Sequence, residues 1–127
     1  MTDKETIHTN AAPAAIGPYS QAVKTGSLVF LSGQIPLVPE TMEIREGGID
    51  AQTHQVFKNL SAVAEASNSS LNDAVKLTIY LVDLADFAVV NGIMAEYFSE
   101  PYPARATVQV SALPKDVSVE VDAVLAL

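Results

Sequence analysis

Apolar residues recur along this chain with two periods, and the switches between them mark out its elements. Ala22 to Thr25 and Leu28 to Ser32 flank Gly26-Ser27, which predicts a hairpin closed by a two-residue Gly-X turn. Before it, Pro13, Gly17 and Pro18 punctuate a segment read as irregular. Gly33 to Pro39 reads as a loop, and Met42 to Arg45 as a short extended piece ended by Gly47-Gly48. After Asp50, a plausible N-cap, Val56, Phe57, Leu60, Val63 and Ala64 recur at helical spacing as far as Ser67-Asn68-Ser69-Ser70. Val75, Leu77, Ile79 and Leu81 then alternate with Lys76, Thr78 and Tyr80, the period of a strand. Asp83 and Asp86 suit the start of a second helix with the stripe Phe87, Val90, Met94, Tyr97 and Phe98, and Pro101 and Pro103 stop it.

Two strands close the chain. Ala106, Val108 and Val110 share one face of the first, with Arg105, Thr107 and Gln109 on the other. Val119, Val121, Ala123 and Leu125 share one face of the second, opposite Ser118, Glu120 and Asp122. The order β-β-α-β-α-β-β predicts an α+β sandwich with both helices on one sheet face. The helices are expected on the apolar face, so the face carrying Arg105 and Glu120 must meet water or another subunit.

Composition narrows the functions available. The 127 residues fit one domain, 1–127, without linker or repeat. Net charge is -8 with a pI near 4.5, which disfavours nucleic acid and anionic membranes as partners. Charged residues are 17% of the chain, below the ~25% usual for soluble domains, which hints that other subunits cover part of the surface. Cysteine is absent, excluding disulfides and thiol nucleophiles. The polar start, Met1-Thr2-Asp3-Lys4-Glu5, lacks the apolar run of a signal peptide, and no segment suits a transmembrane helix, so a cytoplasmic location is expected.

Phosphate-binding glycine loops and hydrolase triads are missing from the sequence. His8 and His54 have no carboxylate at metal-site spacing, so no metal site is expected. Arg105 and Glu120 remain. A guanidinium bracketed by Ala104 and Ala106 has room for a ligand, and its planar donors match a carboxylate. On spacing alone, an ion pair between Arg105 and Glu120 on neighbouring strands is the plainer reading.

Several stretches, taken in order, shift that balance. They are Ile16-Gly17-Pro18-Tyr19-Ser20-Gln21-Ala22, Leu31-Ser32-Gly33-Gln34-Ile35-Pro36, Gln52-Thr53, the run from Asp83 to Asn91, Tyr97-Phe98, Pro103-Ala104-Arg105-Ala106-Thr107-Val108 and Val119-Glu120-Val121. From Ile16 to the C-terminus the chain resembles the Rid/YjgF family. The resemblance implies a chorismate-mutase-like fold and a homotrimer with clefts between subunits. It also implies hydrolysis of 2-imino acids, or their enamine tautomers, to 2-oxo acids and ammonia without a cofactor. By position, Arg105 matches the family's carboxylate-binding arginine and Glu120 the acid that positions or activates water. Tyr19, Ser32, Gly33, Phe87 and Asn91 match cleft residues. Thr107 stands where many members have cysteine, which removes a thiol but leaves a hydroxyl able to hydrogen-bond a ligand. The competing functions are a trimeric sensor of small carboxylates without turnover, a ribonuclease and a holdase. The acidic charge and absence of basic clusters oppose the ribonuclease.

Overall fold

A computed structural model describes residues 3–127; Met1 and Thr2, which begin the polar N-terminal run, lie outside the described residues. Six strands form one mixed sheet: β1 Lys4–Ile7, β2 Ala22–Thr25, β3 Leu28–Gln34, β4 Ala74–Leu81, β5 Ala104–Gln109 and β6 Val119–Ala126, in the order β1-β2-β3-β6-β4-β5. Two helices, α1 Ile49–Ala66 and α2 Phe87–Tyr97, complete an α+β fold. The hairpin forms as expected, with β2 antiparallel to β3 and Thr25 opposite Leu28.

Helical and strand periodicity meet in the core. Val56, Phe57, Leu60, Val63 and Ala64 of α1 are fully buried with Leu77, Ile79 and Leu81 of β4 and Val119, Val121 and Leu125 of β6. Strand β6 alternates buried and half-buried residues over its whole length, the signature of a sheet with one packed face. Fully burying a side chain of this size contributes about 1.5–3 kcal/mol, so this layer dominates the stabilisation.

The structure corrects several expectations. The N-terminal segment holds β1, which pairs antiparallel with β2 from Lys4↔Thr25 to Ile7↔Ala22. Its alternation was invisible because only Ile7 of the four residues is buried. The N-cap of α1 is Gly48, and Asp50 lies in the first turn, where its charge favours the positive end of the helix dipole. Val75 is 46% exposed, because a register shift between Ala74 and Lys76 hands the buried position to Ala74. Asp83 caps the short 3₁₀ turn before α2, accepting from the Ala85 N–H at 2.9 Å.

The largest correction concerns Arg105 and Glu120, which were expected on the same face. Residues in register across neighbouring strands point to the same side of a sheet. Arg105 and Thr107 pair with Leu77 and Ile79, core residues beneath the helices. Glu120 pairs with Tyr80 on the uncovered face. Strand β5 lies at one edge of the sheet, and the sides to which it turns its polar and apolar residues are the reverse of those in β4 and β6. Its small and apolar residues, Ala106 and Val108, lie on the open face, and its polar ones turn toward α2.

Candidate active site

The arginine's surroundings follow from helical spacing. Phe87, Asn91 and Met94 lie four and three residues apart on α2, so they share the face turned toward β5. Arg105 Nη1 donates to Asn91 Oδ1 and lies 3.6 Å from Met94 Sδ. Its Cζ sits 5.1 Å from the centre of the Phe87 ring, a cation–π contact. The guanidinium is thus held from two sides and still opens on a hollow of about 400 Å³. Asn91, Met94, Ala95, Tyr102, Pro103 and Arg105 line it. Two residues further on, the Thr107 hydroxyl is buried without a hydrogen-bond partner. Buried polar atoms are rarely left unpaired; among the described residues nothing meets this hydroxyl, and Thr107 does not line the hollow.

The second group forms on another part of the molecule. Glu120 lies directly over Gly33: a Cβ on Gly33 would stand 3.0 Å from the Glu120 carboxyl carbon and 3.3 Å from its Cγ. Only glycine leaves space for the carboxylate there. A hollow of about 610 Å³ opens beside it, walled by Ile16, Tyr19, Ile35, Leu37 and Met42. The Ser32 hydroxyl donates to the Ser20 carbonyl at 2.6 Å and the Ser32 N–H donates to the Gln21 carbonyl at 3.0 Å, fixing the segment next to Tyr19 against β3. Burial, and then the charge of Asp122, raise the Glu120 pKa above its ordinary value. Asp122 accepts a hydrogen bond from the Tyr80 hydroxyl at 3.0 Å.

The residues singled out from the sequence therefore fall into two groups. Arg105, Asn91 and Phe87 gather between β5 and α2, with Thr107 on the same face of β5, and Tyr19, Gly33 and Glu120 gather around the second hollow, while Ser32 lines neither and spends its hydroxyl on the Ser20 carbonyl. Within one chain Arg105 and Glu120 stand on opposite faces of the sheet, so the intramolecular ion pair is ruled out. Sequence reasoning missed Met94 and Tyr102 as lining residues. Met94 was legible as the third member of the Phe87–Asn91 stripe. Tyr102 had no signal beyond its place between two prolines.

A braced guanidinium and a half-buried carboxyl, each beside an open hollow, are the two groups of this chain best suited to a small molecule with an acid group. The comparisons agree with this class. The family model described as Endoribonuclease L-PSP matches residues 9–127. The RutC family protein PH0854 of Pyrococcus horikoshii is 54% identical over 95% of this chain and 96% of its own length. The 2-iminobutanoate/2-iminopropanoate deaminase of Dermatophagoides farinae is 43% identical over all of this chain and 99% of its own. The crystal structure of RidA from the Antarctic bacterium Psychrobacter sp. PAMC 21119 superposes with a TM-score of 0.94 at 55% identity, covering 97% of this chain and 99% of that one. The chain belongs to the Rid/YjgF family.

Proposed function

We propose that this protein hydrolyses reactive 2-imino acids, of the 2-aminoacrylate, 2-iminobutanoate and 2-iminopropanoate type, in clefts formed between the subunits of a homotrimer. The observation that carries the proposal is the Arg105 guanidinium, braced by Asn91 and Phe87 and facing a hollow. The name of the Dermatophagoides relative supports the chemistry.

In this reading Arg105 grips the substrate carboxylate through paired donors and so fixes the neighbouring C=N carbon. Glu120 of an adjoining subunit completes the site. With the imine nitrogen protonated, the Glu120 carboxylate takes a proton from water as the oxygen adds to the imine carbon, giving a neutral carbinolamine. Its carboxyl then returns that proton to nitrogen, the carboxylate takes the carbinolamine O–H proton as the C–N bond breaks, and ammonia and a 2-oxo acid leave, the ammonia taking up the last proton as ammonium. Burial and the charge of Asp122 raise the Glu120 pKa, which makes its carboxylate a stronger base than an ordinary glutamate. Thr107 follows Arg105 on the same face of β5 and is the further candidate beside the carboxylate grip. Tyr19 and Ile16 form the apolar wall around the carboxyl. No cofactor takes part. The ribonuclease activity named in the family description finds no footing in a chain of net charge -8, which repels a polyanion.

The test couples a threonine dehydratase to this protein and follows decay of the released enamine and imine by absorbance. Wild type is expected to accelerate decay, and Arg105→Ala to remove the acceleration while the oligomer persists. A wild type that binds 2-oxo acids without accelerating decay is a sensor of small carboxylates, and the hydrolase reading is then wrong.

A further inference from the structure

Positive charge gathers a second time on this acidic chain, away from the candidate active site and using none of its residues. We propose that the hollow beside the N-terminal half of α1 binds a phosphate group, free or as a monoester. The hollow has a volume of about 320 Å³ and is lined by Arg45, Ala51, His54, Gln55 and Lys58. The chain holds seven Lys and Arg and two His against 15 acids, and three of those nine basic side chains line this one hollow. Among the described residues no Asp or Glu lines it, although Glu46 and Asp50 are close in sequence. Of the chain's two arginines, Arg105 opens on the candidate active site and Arg45 on this hollow.

The cations are brought together by structure rather than by sequence. His54 and Lys58 are four residues apart on α1 and so share a face. Arg45 comes from a separate loop that is tied to α1 through buried amides. The Arg45 N–H donates to the Pro36 carbonyl at 2.7 Å, and Leu37 bridges Ile44. Buried Asn59 donates to the Leu37 carbonyl at 2.9 Å and accepts from Gln55 Nε2 at 2.9 Å. His54 is oriented too: its Nδ1 lies 2.8 Å from the Tyr97 hydroxyl, and Tyr97 stacks on Phe57 with ring centres 5.3 Å apart. With Tyr97 donating to Nδ1, or with the ring protonated, Nε2 carries an N–H for a ligand. A guanidinium fork, an ammonium and an imidazole N–H together suit the charge and the several oxygens of a phosphate better than a single carboxylate.

Calorimetric titration of the intact protein with inorganic phosphate at neutral pH, with chloride holding ionic strength constant, tests this. Saturable binding of one phosphate per chain is expected. Arg45 and Lys58 are exposed, so the double variant Arg45→Gln/Lys58→Gln keeps the fold, checked by its melting temperature without phosphate. It is expected to bind roughly tenfold or more weakly, the loss of charged donors, while still hydrolysing imines. Arg105→Ala is expected to bind phosphate as wild type does, so the two sites stand or fall separately. Glycerol phosphate in parallel separates the sources: binding of both ligands assigns recognition to the phosphate group, and binding of inorganic phosphate alone to the free ion. Absence of saturable binding by wild type, unchanged binding by the double variant, or loss of binding in Arg105→Ala overturns the proposal.

Discussion

At Arg105 the relevant quantity is shape as much as charge. The guanidinium is planar and is braced by Asn91 on one side and the Phe87 ring on the other, which fixes the direction its free donors face. Lysine keeps the charge but offers neither the fork nor the stacking surface. Arg105→Lys is therefore expected to lose nearly as much activity as Arg105→Ala in the dehydratase-coupled assay; wild-type rates in Arg105→Lys would refute a paired carboxylate contact. At Gly33 the argument is steric. A methyl group there meets the Glu120 carboxyl group, which must swing away from the hollow. Gly33→Ala is expected to lower imine hydrolysis at least about tenfold, the scale of losing a positioned acid–base group, while leaving the core untouched. Retained activity would mean that the carboxyl position is immaterial.

The raised pKa of Glu120 sets the sign of a pH effect. Burial and Asp122 make the folded chain hold this proton more tightly than the unfolded chain does. The folded state then carries the extra proton, so stability falls as pH rises from the ordinary value of 4.5 through the raised one. Glu120→Gln removes the cost of the buried charge. Its melting temperature is expected above that of wild type at neutral pH, with the difference vanishing below pH 4.5. An equal difference at both pH values would show that charge is not its cause.

Secondary-structure elements were legible wherever one face is buried and the other is not. The α1 stripe and the β6 alternation each repeat four or more times, and both appear in the structure as read. Strand β1 was not legible, because only one of its residues is buried. Strand β5 was found, but its facing was misread, since the rule that apolar residues turn toward the helices fails on an outer strand whose other face is uncovered. The candidate residues were legible only through their resemblance to a family pattern; no local period says that Arg105 and Glu120 serve one reaction. The segment from Ile35 to Arg45 was read as a loop as far as Pro39 and a short extended piece from Met42, with no part in a site, yet it walls the Glu120 hollow through Ile35, Leu37 and Met42. Asn59 holds it there, donating to the carbonyls of Leu37 and Ile35 from a buried position in α1. Asn59→Ala strands the Leu37 carbonyl and the Gln55 amide without partners. It is expected to cost about 1–3 kcal/mol in urea unfolding with an unchanged denaturant slope. A loss within error of zero would mean that the loop holds its place without Asn59.

At the scale of the whole molecule, the sheet keeps one face without helices, and that face mixes polar groups with exposed apolar ones. Phe30 is 47% exposed and Val108 42%, with Phe30 in register with Val124 and Val108 with Tyr80. Such a face in a chain with few charges fits burial against other copies, and a closed ring of identical subunits puts different patches of each chain in contact. In the proposed trimer the two halves of the candidate site come from different chains, which has a consequence that a self-contained site does not share. Arg105→Ala and Glu120→Gln are each expected to be inactive alone. Denatured together in equal amounts and refolded, they assemble at random, and about one interface in four draws its arginine half and its acid half from intact donors. Activity is expected to return to about a quarter of the wild-type value, whereas mixing the folded variants without subunit exchange restores none. If the refolded mixture stays inactive while wild type refolded in the same way regains its activity, Arg105 and Glu120 do not meet across a subunit boundary.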